Sequence, residues 1–182
     1  MMSEVVARAA AGDAEAFTQI VTEYEPRICR FLYGLVGDRE LARDLAQETF
    51  LSAYRGLQRG GGQLQFNAWL YTIARNQAVS ALRRRRLVSW LPLPKRGEDR
   101  EEETGLGQAP DPADVAVDRL VLREALARLD VTSRALLVLA AEGFSYAEIG
   151  QMLGLSLPAV RLRLFRARER LRALCPERGD RP

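Results

Sequence analysis

Asp44 and Glu48 stand four residues apart in Asp44-Leu45-Ala46-Gln47-Glu48-Thr49-Phe50, which puts both carboxylates on one face of a helix. A carboxylate pair at that spacing can serve acid–base chemistry. Nothing around it supports that use. The chain contains no histidine, which removes serine–histidine and cysteine–histidine catalysis and every metal site that needs imidazole. No lysine or metal-ligand cluster stands beside the pair. The two cysteines, Cys29 and Cys175, are far apart and lack a CxxC pattern. They suggest neither a zinc knuckle nor a redox pair and read as small buried hydrophobes in a reducing cytosol. No catalytic residue, metal ligand or cofactor is therefore assigned. The Asp44–Phe50 carboxylates can equally meet a basic partner surface.

A stronger pattern lies between Ser145 and Leu174. Ser145 with Glu148 forms an S-x-x-E capping box that opens a short helix. Gly154-Leu155-Ser156 makes a tight turn, and Ser156 can cap a final helix with Pro158 in its first turn. Together these are a helix-turn-helix. Val160, Leu164, Ala167, Leu171 and Leu174 recur at steps of three and four and form the stripe that packs inward. Around them stand Arg161, Arg163, Arg166, Arg168, Arg170 and Arg172, opposed only by Glu169. Such a helix can enter a major groove, with its first turns at base edges and its arginines on phosphates. Base readout falls to Pro158, Ala159, Arg161 and Leu162. Arg161 alone among them has bidentate capacity for guanine. The competing reading is a solvated basic face on a structural helix.

The other pattern is Phe66-Asn67-Ala68-Trp69-Leu70-Tyr71, running into Arg75-Asn76 and then Arg83-Arg84-Arg85-Arg86. Aromatic residues followed by a basic tail on one helix suit unpaired nucleic acid, since bases stack on rings and the backbone follows the charge. Phe66 and Trp69 read equally well as core residues.

These segments need elements to hold them. The 182 residues are 47% hydrophobic, enough for a core, and 28% charged. The net charge of +3 conceals a segregation. Residues 1–95 carry +4, residues 96–118 carry −6 and residues 119–182 carry +5. The acidic stretch holds Pro92, Pro94, Gly97, Gly105, Gly107, Pro110 and Pro112 in or beside it. It has almost no apolar periodicity, so residues 91–118 read as an extended, mobile linker. It joins two small domains, 1–90 and 119–182. Both are helical, because strand-like alternation is absent throughout. The first reads as four helices: Ala14–Tyr24, a second beginning near Pro26 and closed by Gly37, a third capped by Asp38, and a last from about Phe66 to Arg86. Gly60-Gly61-Gly62 breaks the chain before the last. In the second domain Leu122, Ala125, Leu126 and Leu129 make one amphipathic helix. Thr132 or Ser133 caps the next, which buries Leu136, Leu137 and Leu139. The N-terminus has no basic region or long apolar run. The most apolar stretch, residues 135–141, is far short of the roughly 20 residues a membrane span needs. The expected location is the cytoplasm.

In this order the segments resemble an extracytoplasmic-function (ECF) sigma factor of bacterial RNA polymerase. The sigma-two region resembles residues 15–86, through Asp44–Phe50 and Ala68-Trp69-Leu70-Tyr71-Thr72-Ile73-Ala74-Arg75-Asn76. The sigma-four region resembles residues 122–174, through Glu142–Gly150 and Leu164-Phe165-Arg166-Ala167-Arg168-Glu169-Arg170-Leu171. The resemblance implies that Asp44, Leu45, Gln47, Glu48, Phe50 and Leu51 dock on the clamp helices of core RNA polymerase. Phe66, Trp69, Tyr71, Arg75, Asn76, Arg83 and Arg84 would bind and melt the −10 promoter element. Ser156, Pro158, Ala159, Arg161, Leu162, Arg163, Arg166 and Arg168 would read the −35 element as duplex. It also implies an anti-sigma partner and no small-molecule substrate. The acidic linker would run through the polymerase's RNA exit path, where Glu101, Glu102 and Glu103 could mimic RNA phosphates. Three departures stand out. Gly60-Gly61-Gly62 replaces the usual aromatic and basic residues of the base-capturing loop. Ser80 replaces the usual Asp. Pro158-Ala159 and Leu162 replace the usual Gly-Thr and Ser, removing hydroxyl contacts to DNA. A stand-alone helix-turn-helix regulator is the alternative reading, and a nuclease using Asp44 and Glu48 on a metal is a third. The aromatic-plus-arginine helix argues against the stand-alone regulator. The nuclease would need further carboxylates, for which there is no motif.

Overall fold

The computed structural model describes residues 2–62, 65–90 (side chains to 85) and 121–175. The linker read over 91–118, with Glu101–Glu103, lies outside the described residues. All regular elements among the described residues are helices, in the order α1 (Met2–Ala10), α2 (Ala14–Val36), α3 (Arg39–Leu57), α4 (Phe66–Trp90), α5 (residues 121–127), α6 (Val131–Ala141), α7 (Tyr146–Leu153) and α8 (Leu157–Leu174). The first four make one unit and the last four another.

The central strut of the first unit is α2. Asp13 caps it by accepting from the Ala16 amide, and Gly37, at φ 72°, ends it by donating to the Tyr33 carbonyl. The expected break at Pro26 does not occur: one helix runs through it. Ala16, Ile20, Tyr24, Ile28, Phe31, Leu32 and Leu35 form a single buried stripe across the site. Pro26 and Thr22 both lie on the solvent side. The Thr22 carbonyl, which has no amide partner at Pro26, is therefore open to water, and packing on the other face keeps the helix whole. The N-terminal helix α1, unassigned from sequence, buries Val6 and Ala9 against this bundle. Asp38 caps α3 as expected, accepting from Leu41 at 3.0 Å. Helix α4 turns small residues inward, Ala74, Ala78 and Ala81, along with Phe66, Leu70 and Tyr71. Small residues let it lie close to α2 and α3.

In the second unit Asp130 caps α6, not Thr132 or Ser133. Its carboxylate accepts from the amides of both, at 3.1 and 3.0 Å, and from the Ser133 hydroxyl at 2.6 Å. A carboxylate at this position serves two orphan amides where a hydroxyl would serve one. The Ser145–Glu148 capping box forms in both directions. Gly154, at φ 65°, turns the chain, and a Cβ on Gly150 would lie 2.7 Å from the Leu155 carbonyl oxygen, so α7 approaches the turn through a glycine. Ser156 occupies the N-cap of α8 but makes no side-chain cap bond, and proline sits in the first turn.

The Ser145 bonds hold the Glu148 carboxyl below its ordinary value of 4.5. Partial burial works to raise Asp130, but the bonds from Ser133 and Thr132 outweigh it and keep the group below 3.8. Lowered carboxyls add stability that is present above their unfolded values and vanishes as pH falls through the folded ones. Glu148→Gln has no carboxyl to protonate at this cap. Its stability should therefore fall less steeply than that of wild type on acidification below about pH 4.5, as read by circular dichroism against pH.

The two units do not rest apart. Helix α6 packs on α2 and α7 on α4, and the buried residues of both units form one continuous core. The Tyr71 ring lies edge-on between Phe31 (centroids 5.1 Å) and Phe144 (4.8 Å).

Candidate nucleic-acid interface

Helix α8 is positioned by Val160, Leu164 and Ala167, which are buried against α6 and α7. This turns the opposite face outward. Ser156, Pro158, Arg161, Leu162, Arg163, Arg166 and Arg168 are exposed, and Ala159 is half-buried. Arg172, near the far end of the helix, is drawn to Glu169 at 2.8 Å. Phe165 is not singled out by the sequence motifs, yet it is 63% exposed, one turn beyond Leu162 at 50%. A signal for it exists, because position 165 falls off the Val160–Leu164–Ala167 stripe. An exposed apolar pair flanked by guanidinium groups can meet thymine methyls while the arginines take phosphate or guanine.

Helix α4 divides its assigned residues. Phe66 and Tyr71 are buried and serve as core, so neither ring is open to a base. The Tyr71 hydroxyl has no hydrogen-bond partner among the described residues, and burial pushes the phenol up to about 12. Of the residues that the sequence offers for the −10 strand, Asn76, Arg83 and Arg84 are exposed, and Arg75 is half-buried beside the Asn76 side chain. Arg85 reaches Asp38 at 2.8 Å. Asn76, Ser80 and Arg83 follow one another at steps of four and three, a polar stripe along one side of the helix.

Trp69 is half-buried, and the glycines explain its seat. A Cβ on Gly56 would stand 2.6 Å from the indole, on Gly61 3.4 Å and on Gly62 2.2 Å. The indole therefore lies against bare backbone at the end of α3 and in the loop that follows. Gly60-Gly61-Gly62 is a platform for Trp69 as well as a chain break. Gly62 also has φ 75°. Gly62→Ala combines a collision with a strained backbone, of which the strain alone costs about 1–3 kcal/mol. A thermal melt of the variant should show destabilisation at or above that range, whereas Gly60→Ala, with open space around its Cβ, should show only the backbone part.

Helix α3 presents Asp44, Gln47, Glu48 and Leu51 at steps of three, one and three, on one open face. Leu51 is 56% exposed. Leu45 and Phe50, assigned to the same surface from sequence, point the other way into the core. They hold the helix rather than form its contact face. Among the described residues no group of three or more His, Cys, Asp or Glu could hold a metal ion, and no helix is long and apolar enough to cross a membrane.

Comparison with known proteins matches this layout. The Sigma-70 region 2 family covers residues 20–88 and the Sigma-70 region 4 family covers residues 119–171. The RNA polymerase sigma factor CarQ of Myxococcus xanthus is 38% identical over 167 residues, 91% of this chain and 92% of that protein. The ECF RNA polymerase sigma factor SigL of Mycobacterium tuberculosis is 31% identical over 176 residues, 96% of this chain and 97% of that protein. Among solved structures, CnrH in complex with the cytosolic domain of CnrY superposes with a TM-score of 0.72 at 27% identity, over 97% of this chain and 98% of that one. RpoE of Bartonella quintana, in complex with the anti-sigma factor NepR, superposes at 0.69 and 28% identity, over 92% of this chain and all of that one. With both sigma regions present in order and full-length relatives of one kind, the chain belongs to the extracytoplasmic-function class of sigma-70 RNA polymerase sigma factors.

Proposed function

We propose that this sigma factor divides its work among three outward faces. Asp44, Gln47, Glu48 and Leu51 of α3 meet a basic and apolar surface on core polymerase. Asn76, Arg83 and Arg84, with Arg75 beside them, follow the −10 strand, and Trp69 sits at the edge of the loop that faces it. Ser156, Pro158, Ala159, Arg161, Leu162, Arg163, Arg166 and Arg168 engage the −35 duplex. The observation that carries this reading is the outward face of α8, where a run of arginines and two apolar side chains surrounds a helix anchored on its other side. Apolar side chains of that kind are unfavourable in water and find partners in a groove, while the guanidinium groups take phosphate. No enzymatic step is required of the chain itself. RpoE is bound to an anti-sigma factor, and a protein of that kind would hold this chain inactive if it covered the three faces.

Run-off transcription with sigma-free core polymerase and genomic DNA of the source organism tests the reading. Discrete new 5′ ends sharing two upstream elements are the expected result. No added starts, together with no capture of core polymerase in a pull-down, would overturn it and leave a stand-alone DNA-binding regulator.

A further inference from the structure

The outward face of α8 has an order that its arginine content conceals. On a helix of 3.6 residues per turn, Pro158, Leu162 and Phe165 follow at steps of four and three and fall on one line. That line lies opposite the buried Val160–Leu164–Ala167 line that anchors the helix. All three side chains are exposed. Arg161 and Arg168 flank the line on one side, and Arg163, Arg166 and Arg170 on the other, all of them exposed. Glu169 continues the line beyond Phe165 and is drawn to Arg172 at 2.8 Å.

A helix that only tracked phosphate would carry polar side chains along its outermost line, because exposed apolar groups are unfavourable in water. This one has apolar groups at the centre and cations on both flanks. The flanks match the two phosphate strands that border a major groove, and the centre then faces the groove floor.

The groove floor offers one apolar group, the C5-methyl of thymine. The methyl of 5-methylcytosine stands on the same carbon and projects to the same place. Pro158, Leu162 and Phe165 have no side-chain donor or acceptor with which to read the hydrogen-bonding edge that separates those two bases. To this line thymine and 5-methylcytosine are alike, and so are uracil and cytosine, which lack the methyl. From Pro158 to Phe165 the helix advances about 10 Å at about 1.5 Å per residue, or about three base steps of about 3.4 Å. Pro158 and Leu162 replace the glycine and serine usual in the family, so the line belongs to this chain.

We propose that Pro158, Leu162 and Phe165 form a reader of 5-methylpyrimidines, so that cytosine-5 methylation within the −35 element strengthens binding by this chain. The proposal rests on the reading of α8 as the −35 helix. A methylated cytosine under the line then acts as a thymine would, with no change of sequence. One methyl buried against these side chains corresponds to about fourfold in affinity, and two to about fifteenfold.

Selection from random duplexes tests it, with the full-length chain alone and with core polymerase. Three libraries differ only in the pyrimidines copied into them: thymine with cytosine, uracil with cytosine, and uracil with 5-methylcytosine. The thymine library should yield a motif with at least two thymines within about three base pairs. The same motif written with uracil should bind about tenfold or more weakly. In the third library the motif should return with 5-methylcytosine at those positions. Leu162→Ser alters an exposed position, so it should melt as wild type does. It should keep its affinity for the uracil duplex within about twofold and lose the methyl preference at one position. Phe165→Ala should lose it at a neighbouring one. A motif bound equally with thymine and with uracil overturns the reader and leaves Arg161 to specify the element. Methyl preference retained in full by both variants also overturns it. No enrichment in either form overturns the −35 reading and the reader together, and leaves the line to a protein partner.

Discussion

Arg161→Ala should weaken binding of the −35 duplex by about 1–3 kcal/mol, roughly five- to 150-fold, and relax preference at one base pair. Arg161 is exposed on the first turns of α8, behind Pro158 and Ala159, with Val160 beside it holding the helix in place. Its guanidinium is the one group among the early positions able to bond a guanine edge twice. The outer arginines should behave differently. Replacing Arg163, Arg166 and Arg168 together should weaken binding about equally on every sequence. It should also lower the slope of log affinity against log salt by roughly 0.9 for each phosphate no longer neutralised. Fluorescence anisotropy over a salt series with a promoter duplex and a scrambled one separates the two outcomes. An Arg161→Ala effect that is equal on both duplexes would assign Arg161 to phosphate and leave base readout to Leu162 and Phe165.

On α3, the double charge reversal Asp44→Arg, Glu48→Arg should reduce capture of core polymerase by more than about 100-fold, since like charges set against a complementary surface cost several kcal/mol. Both carboxylates are exposed on the open side of the helix, away from the core, so the melting temperature should barely move. Leu45→Ala gives the contrasting result. Leu45 lies in the core and its truncation should cost about 2–5 kcal/mol of stability. A pull-down alone would score both variants as defective. Pull-down with a thermal melt assigns the first to the contact face and the second to packing. Leu51→Ser, at the end of the same open face, should weaken capture without destabilising the chain.

Local chemistry makes much of this legible in the sequence. The capping box at Ser145, the Asp38 cap and the arginine helix are readable because each depends on residues within one or two turns. Helix α2 reads as two helices because Pro26 is a local stop signal, while the stripe from Ala16 to Leu35 that overrides it is a matter of packing. Asp130 competes with Thr132 and Ser133 as a cap because all three are good capping types, and only the backbone decides among them. Leu45, Phe50, Phe66 and Tyr71 show the main limit on the site: a motif names residue types, but the side facing a partner is known only once α3 and α4 are packed. The seat of Trp69 on Gly56, Gly61 and Gly62 and the meeting of Gly34 with Val138 join glycine backbone to distant side chains, which leaves no periodic trace.

The shared core also imposes an order on synthesis. The first unit is finished at Trp90, whereas the helices that cover its Leu35 and Tyr71 face end at Ala141 and Leu153. About 60 further residues must be made before that face is covered, roughly 3–12 s at about 5–20 residues per second. Throughout that interval a nascent helical bundle carries a bare apolar flank. Each newly made chain thus has a brief period in which holdase chaperones, or a nascent partner, can reach a surface that the finished molecule conceals.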